Sequence, residues 1–270
     1  MSDLPIIVGG CHRSGTSLVR RILDSHSRIH CGPEVKFFRD FYGTYLTDPI
    51  RHVRFATTAR SMLPDEELLE LMGGAFVELH ERAARRAGKA RWADKNPENA
   101  VFLDSWQRLL GDRWLFVHVV RNPLDTLASI KEWSFPVSIP AGLDARIDMY
   151  LEYVRSGLEF GAANPDRSLT LLYEDLVTEP DAALPSLMSW LGEQFEPAQT
   201  RINEARHQPG LEDPKIDQTT EIHAHSIGRW REILSDDEAD EIRRRTDESW
   251  REIDPQGRWS APALRSLPST

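Results

Sequence analysis

The sequence lacks the features of a membrane protein, a disulfide-stabilised scaffold or a general nucleic-acid binder. No apolar run approaches the roughly 18–20 residues of a spanning helix. The 270 residues include only two cysteines, Cys11 and Cys31, too few by themselves for a disulfide framework or a zinc site. Lysine and arginine number 33 against 43 aspartate and glutamate residues, a net charge of −10. This balance argues against general binding to nucleic acid or an anionic membrane, yet it permits a local anion site.

The first residues of the chain predict no export signal. Residues 1–8 contain neither a basic region nor a small-residue cleavage site, so no secretory signal is predicted. Together with the low cysteine content, this predicts a cytoplasmic protein in a reducing compartment. Apolar residues are 40% of the chain and charged residues 28%, a balance typical of globular domains.

Short apolar runs alternate with helical patterns along the chain, which predicts an α/β fold with a mainly parallel sheet. The predicted strands cover residues 6–8, 91–93, 115–120 and 169–172. One helix is predicted directly after the first strand, and others over residues 66–87, around 147–158 and around 227–234. A further helix is predicted to begin at Pro123, with Asn122 as its cap. The polar stretch 207–225 reads as a loop. We expect one domain over residues 1–254 and a loose tail over 255–270.

A phosphate-binding loop is predicted between the first strand and the helix that follows it. Residues 10–17 have the spacing Gly-x-x-x-x-Gly followed by one residue and Ser. Glycines let successive N–H groups turn inward, and the helix N-terminus adds partial positive charge. Thr16 stands where nucleotide triphosphatases have lysine, and the cation is Arg13. The loop therefore predicts an anion site that does not take ATP–magnesium in the usual manner; the alternative is a glycine-rich turn without a ligand.

A second anion site is predicted at the end of the 115–120 strand. Arg121 follows the strand, and Ser129 lies eight residues further on, in the next helix. Arginine offers a charge-assisted contact to phosphate, and serine adds a hydroxyl donor. The alternative is an ion pair between Arg121 and a nearby carboxylate such as Asp125.

Both motifs resemble those of the sulfotransferases that use PAPS, 3′-phosphoadenosine 5′-phosphosulfate. Residues 6–18 are similar to the family's 5′-phosphosulfate loop, and the stretch through Glu34 resembles the tyrosylprotein sulfotransferases and their soluble bacterial relatives. The resemblance implies a three-layer α/β domain of P-loop type, with a central parallel sheet and helices on both faces. It also implies PAPS as the sulfuryl donor, without a metal.

The resemblance implies a set of cofactor contacts. The P-loop would hold the phosphosulfate and the 5′-phosphate, and the Arg121 motif would hold the 3′-phosphate. Tyr173 lies in a stretch similar to the family's Arg-Tyr-Glu-x-Leu, although it is equally typical of a core residue. Arg229 is implied as a cofactor contact, and the alternative is a surface arginine at the start of a helix. The cofactor-binding residues implied in this way are Arg13, Ser14, Gly15, Thr16, Ser17, Leu18, Arg121, Ser129, Tyr173, Ser226 and Arg229.

The resemblance also implies three catalytic residues. Glu34 would be the general base, and the apolar residues around it are expected to raise its pKa by desolvation; the alternative is a glutamate that stabilises a helix N-terminus. Lys95, in Asp-Lys-Asn-Pro, resembles the lysine of the family's Lys-Asp-Pro motif and would stabilise the leaving group together with Arg13. The alternative for Lys95 is a solvated lysine before a helix.

One departure bears on the acceptor. In the tyrosylprotein group the cysteine at the Cys31 position pairs with a cysteine two residues before the motif lysine, where this chain has Ala93. The disulfide cannot form, which weakens the transfer of a peptide-tyrosine substrate to this chain.

The predicted reaction is transfer of a sulfuryl group to a hydroxyl of a small molecule, sugar or peptide. The alternatives are a P-loop kinase-like phosphotransferase, which Thr16 disfavours, and a non-catalytic nucleotide-binding protein. The acceptor pocket is expected near residues 37–45, 135–143 and 207–225.

Overall fold

Five parallel strands form the sheet in the computed structural model, which describes residues 3–43, 54–133, 139–202, 207–208, 216 and 221–259. The strands are β1 (Ile6–Gly9), β2 (Ile29–Cys31), β3 (Arg91–Lys95), β4 (Leu115–Val120) and β5 (Ser168–Leu172). Their order is β2-β3-β1-β4-β5, and every neighbouring pair is parallel. The sequence predicted four of them and missed β2, whose three residues are too short for a recognisable pattern.

Helices occupy most of the remaining described chain. They are α1 (Thr16–Asp24), α2 (Phe37–Tyr42), α3 (Arg54–Ala59), α4 (Asp65–Arg86), α5 (Leu103–Leu110), α6 (Pro123–Glu132), α7 (Leu143–Ala163), α8 (Tyr173–Thr178), α9 (Pro180–Trp190), α10 (Trp230–Ile233) and α11 (Asp236–Ile253). Two short 3₁₀ helices cover Pro97–Val101 and Pro197–Thr200. The described helices include none that is both long and apolar enough to cross a bilayer.

The sheet separates two hydrophobic layers because successive side chains of a strand point to opposite faces. Ile6 and Val8 of β1 pack with the apolar residues of α1 and α9, whereas Ile7 packs with the aromatic residues of α4 and α5. Both faces are therefore covered by helices. The predicted three-layer α/β architecture with a central parallel sheet is confirmed.

The strand order places the site. The chain runs from β1 to β2 on one side of the sheet, and after β3 it crosses to β4 on the other side of β1. Ligands of open α/β sheets bind in the crevice where the strand order reverses, beyond the carboxyl ends of the strands. In this chain the crevice lies between β1 and β4, so the two predicted anion motifs open from neighbouring strands.

Local signals at the helix ends match the structure. Asn122 caps α6 by accepting a hydrogen bond from the Leu124 N–H, and Pro123 is the first helical residue. Beyond α11, the first residues of the segment predicted as a tail contact the domain: Trp259 donates its indole N–H to Asp175 at 2.8 Å, and its carbonyl accepts from the Asn122 side chain at 2.8 Å.

Candidate active site

The P-loop turns sharply between β1 and α1. Arg13 and Gly15 have left-handed backbone, with φ of 70° and 95°. A Cβ on Gly15 would lie 2.4 Å from the Tyr173 ring, so only glycine fits there. For Arg13 this conformation costs roughly 1–2 kcal/mol, and such strain is characteristic of functional sites. The turn directs the first N–H groups of α1, which have no partner within a helix, to the mouth of the loop; they belong to Thr16, Ser17 and Leu18.

Two buried polar atoms at this loop lack partners within the described part of the chain. They are the hydroxyl of Ser14 and the Nε of Arg121, and their residues are 1% and 6% exposed. A buried donor without a protein partner is costly, and both of these donors are available to an acceptor atom of a ligand or of water. The donors suit a phosphate or sulfate, which accepts hydrogen bonds on every oxygen.

Arg121 joins the two anion motifs. Its guanidinium donates to the carbonyl of Arg13 at 3.1 Å and to that of Ser226 at 2.6 Å. It also lies over the Tyr173 ring, 4.6 Å from the centroid. Ser129 completes the cluster because its hydroxyl accepts from Arg13 Nε at 3.1 Å. The fold thus brings together five of the residues implied by the resemblance.

Asp125 holds the neighbouring loop and does not pair with Arg121. Its carboxylate accepts from the N–H groups of Gly228 at 2.7 Å and Trp230 at 3.0 Å. The alternative that Arg121 pairs with Asp125 is therefore wrong. These contacts bring the Ser226 carbonyl onto Arg121, whereas Arg229 points away and pairs with Glu132 at 2.8 Å. The structure does not bring the Arg229 side chain to the cluster.

The predicted catalytic lysine lies at the end of β3, beside the P-loop. Lys95 is fully buried, which excludes the alternative of a solvated lysine. Its ammonium donates to the Ser17 hydroxyl at 3.1 Å and pairs with Oε1 of Glu34. The third implied catalytic residue, Arg13, lies within the P-loop. The P-loop and the end of β3 thus each contribute a cation at this edge of the sheet, and the Glu34 carboxylate pairs with Lys95.

The pKa of Glu34 is lowered, which corrects the expectation from the sequence. Burial is the largest single effect and acts to raise the pKa, but the ammonium groups of Lys95 and Lys36 together outweigh it. The apolar residues beside Glu34 could be read from the sequence. Its two cationic partners could not be recognised as such, because contact between Lys95 and Glu34 depends on the packing of β3 against the P-loop strand.

Sequence reasoning missed Lys36, which contacts Glu34, and Glu98, which contacts Lys36. Lys36 Nζ lies 3.2 Å from Glu34 Oε2 and 3.0 Å from Glu98 Oε2. Glu98 is buried and follows Lys95 by three residues. The only signal for Glu98 was its place in the Lys-Asn-Pro-Glu stretch.

The histidines and cysteines near these motifs are buried side chains. Burial lowers the pKa of His12 and of His118 to about 4, which favours their neutral forms at neutral pH. Cys11 and Cys31 are buried and free, and burial raises the pKa of both thiols.

Within the described ranges no group of three or more His, Cys, Asp and Glu side chains could hold a metal ion. Of the segments predicted to form the acceptor pocket, residues 44–45, 135–138, 209–215 and 217–220 lie outside the described residues.

The chain is similar to known sulfotransferases. Residues 5–197 match the sequence profile of the sulfotransferase family. Protein-tyrosine sulfotransferase 2 of Gallus gallus is 25% identical over 253 residues, which cover 84% of this chain and 63% of that protein. The alignment thus spans less than two thirds of the chicken protein.

Two solved structures support the fold. The sulfotransferase domain of the Synechococcus olefin synthase superposes with a TM-score of 0.62 at 20% identity, over 88% of this chain and 92% of that one. A mouse sulfotransferase complexed with PAP superposes with a TM-score of 0.57 at 14% identity, over 97% and 90%. Since the family profile matches residues 5–197, well over half of the chain, this protein belongs to the sulfotransferase family.

Proposed function

We propose that this protein transfers a sulfuryl group from PAPS to a hydroxyl acceptor. The observation that carries the proposal is the contact between the two anion motifs, in which Arg121 donates to the Arg13 carbonyl of the P-loop. A donor that carries phosphates on the 3′ and 5′ positions of one ribose needs two such sites close together. The PAP bound by the mouse relative is the desulfonated form of this donor.

The residues present fit PAPS. The N–H groups of the first α1 turn and the Ser14 hydroxyl would hold the 5′-phosphate, and Arg13 would contact the sulfate. Arg121, with its unpartnered Nε, and Ser129 would hold the 3′-phosphate. Tyr173, stacked on Arg121, would lie beside the nucleoside. Arg229 is not needed in this arrangement, because it pairs with Glu132.

In the reaction, Glu34 accepts the proton of the acceptor hydroxyl while the acceptor oxygen attacks sulfur. A new oxygen–sulfur bond forms, the bond between sulfur and the bridging oxygen breaks, and PAP leaves with the electron pair. Lys95 and Arg13 stabilise the negative charge that develops on the bridging oxygen. These cations supply the charge stabilisation for which a phosphoryl-transfer enzyme uses magnesium.

The acceptor is a hydroxyl of a small molecule, a sugar or a peptide, and we place the reaction in the cytoplasm. The two free cysteines, which need no oxidising compartment, support this placement.

Titration calorimetry tests the donor assignment. PAP should bind without added metal, and ATP–magnesium should bind at least tenfold more weakly, because it lacks the 3′-phosphate for Arg121. Preferential binding of ATP–magnesium would contradict the proposal and favour a kinase. A labelled-PAPS assay with a panel of phenols, alcohols and sugars would then identify the acceptor class, and PAP binding without any transfer would favour a non-catalytic nucleotide-binding protein.

A further inference from the structure

The two carboxylate oxygens of Glu34 are held by different ammonium groups. Lys95 pairs with Oε1, and Lys36 lies 3.2 Å from Oε2. The Lys36 ammonium also contacts Oε2 of the buried Glu98 at 3.0 Å. Positive and negative side chains therefore alternate along one chain of contacts, which begins beside the P-loop and runs through Lys95, Glu34, Lys36 and Glu98.

Lys36 is fixed through its backbone as well as its side chain. Its φ is 50°, and among the described residues other than glycine only Arg13 shares this left-handed conformation. Its N–H donates to Asn96 Oδ1 at 3.3 Å, while Glu98 holds its ammonium. Both anchors come from the segment that directly follows Lys95. Lys36 thus has a strained backbone, and both its N–H and its ammonium are fixed beside a carboxylate. Such strain indicates a position under functional constraint.

We propose that Lys36 and Glu98 are a positioning pair for the general base. Lys36 holds Oε2 of Glu34, and Glu98 shares the charge of Lys36. Oε1 is thereby left to accept the proton when Lys95 turns to the sulfuryl donor. This inference rests on the proposed role of Glu34. It assigns the two oxygens different tasks, since Oε2 fixes the orientation of the carboxylate and Oε1 faces the chemistry.

Glu98 is required because, without it, the full charge of Lys36 would act on Glu34 and make Glu34 a weak proton acceptor. An opposite charge nearby favours the ionised carboxylate, and an ammonium shared between two carboxylates acts less strongly on each. Further groups face the same carboxylates: Lys95 from β3 contacts Glu34, and Arg39 of α2 and His12 of the P-loop lie 3.7 and 3.9 Å from Glu98. The neutral form of His12 adds no charge. Arg39 is a second cation beside Glu98, but Lys36 contacts both Glu34 and Glu98.

The protonation of Glu34 can be measured directly by a ¹³C NMR titration of the glutamate carboxyl groups. The Glu34 signal is assigned by its loss in Glu34→Gln. In Lys36→Gln, the pKa of Glu34 should rise by about one unit, since one nearby cation is lost. In Glu98→Gln it should fall, by up to about one unit, because Lys36 then pairs with Glu34 alone. Shifts of opposite sign follow from any cation and anion near Glu34, so a double variant is what tests whether Glu98 acts through Lys36.

Three further variants separate the effects. Lys36→Arg keeps a cation and should restore most of the native pKa. Arg82→Met removes the cation of an exposed pair on α4 and should leave Glu34 unchanged. In the Lys36→Gln background, the shift caused by Glu98→Gln should shrink if Glu98 acts through Lys36. An undiminished shift would overturn the positioning role.

The inference is also overturned if both single variants titrate like the native protein and only the melting temperature falls. Should Lys36→Gln fail to fold, Lys36→Met, which also removes the ammonium, replaces it in the single and the double variant. The titration needs neither donor nor acceptor. Its failure therefore leaves sulfuryl transfer intact, whereas absence of PAP binding by the native protein contradicts the proposed function alone.

Discussion

Lys95 and Glu34 form an ion pair at the carboxyl end of the sheet, and Lys95 also donates to Ser17 of the P-loop helix. In the proposed reaction, an anion held by the P-loop would compete with Glu34 for the same ammonium. If Lys95 turned to that anion, Glu34 would lose the stronger of its two cationic partners, and its pKa would rise. Donor binding and the basicity of Glu34 would then be coupled through this one side chain.

Glu34→Gln should separate proton transfer from donor binding. Turnover should fall by about 10²–10⁴, the usual contribution of general base catalysis. PAP affinity, measured by calorimetry, should stay the same or increase slightly, because an anion near the site is lost. The loss should be smaller with a phenol than with an aliphatic alcohol, since a phenol gives up its proton more readily. Glu70→Gln, on an exposed part of α4, is the matched control.

Retained turnover in Glu34→Gln would contradict this assignment, as would a loss explained by a lower melting temperature. Glu34 would then stabilise only the local structure. The base would have to be sought elsewhere in the site.

Lys95→Met should change the pH profile as well as the rate. Lys95 acts to lower the pKa of Glu34, so its removal raises that pKa. The acidic limb of kcat/KM should therefore move to higher pH, and the plateau should fall by at least tenfold because the leaving group loses a cation. Initial rates from pH 4 to 9 measure both effects. A lower plateau with an unmoved acidic limb would show that Lys95 acts on the leaving group alone.

Arg121→Ala should weaken the binding of ligands that carry a 3′-phosphate. Loss of a charge-assisted hydrogen bond costs about 1.5–3 kcal/mol, or roughly ten- to a hundredfold in affinity. PAP should lose far more than adenosine 5′-phosphosulfate, which lacks that phosphate. Arg229→Ala should change PAP affinity by less than about threefold, because its guanidinium pairs with Glu132. Equal losses for the two ligands in Arg121→Ala would refute the assignment of Arg121.

Local structure is predicted best from the sequence where neighbouring residues alone determine it. The P-loop, the β4 strand and the Asn122 cap are set by neighbouring residues, and each forms where the local pattern places it. β2 was missed because a three-residue strand shows no period, and α11 because its surface residues dilute its apolar stripe.

The candidate site was predictable as a list of side chains but less so as a set of contacts. Ser226 and Arg229 follow the same loop, yet Asp125 holds that loop so that only the Ser226 carbonyl reaches Arg121. The lowered pKa of Glu34 likewise depends on Lys36, whose left-handed backbone no sequence pattern indicates. Tertiary contacts decide both outcomes.

Glu174 should make stability depend on pH. Its side chain is buried beside the Arg121 turn, where one carboxylate oxygen accepts from the Asn122 N–H at 2.9 Å and the other has no partner within the described chain. Burial is the main cause that raises its pKa, to about 7. A carboxyl group with a raised pKa binds its proton more tightly in the folded state. Its contribution is therefore most favourable below pH 4.5 and is lost as the pH rises through 7.

Glu174→Gln should stabilise the protein at alkaline pH. Glutamine keeps the oxygen that accepts from Asn122 and removes the buried charge, so the gain should be small at pH 5 and approach about 3 kcal/mol at pH 8, from a shift of roughly 2.5 pKa units. Urea unfolding of both proteins across this range measures the difference. Glu179→Gln, which removes an exposed charge five residues away, should show no such trend. A constant difference between native and Glu174→Gln proteins from pH 5 to 8 would mean that Glu174 does not titrate in this range.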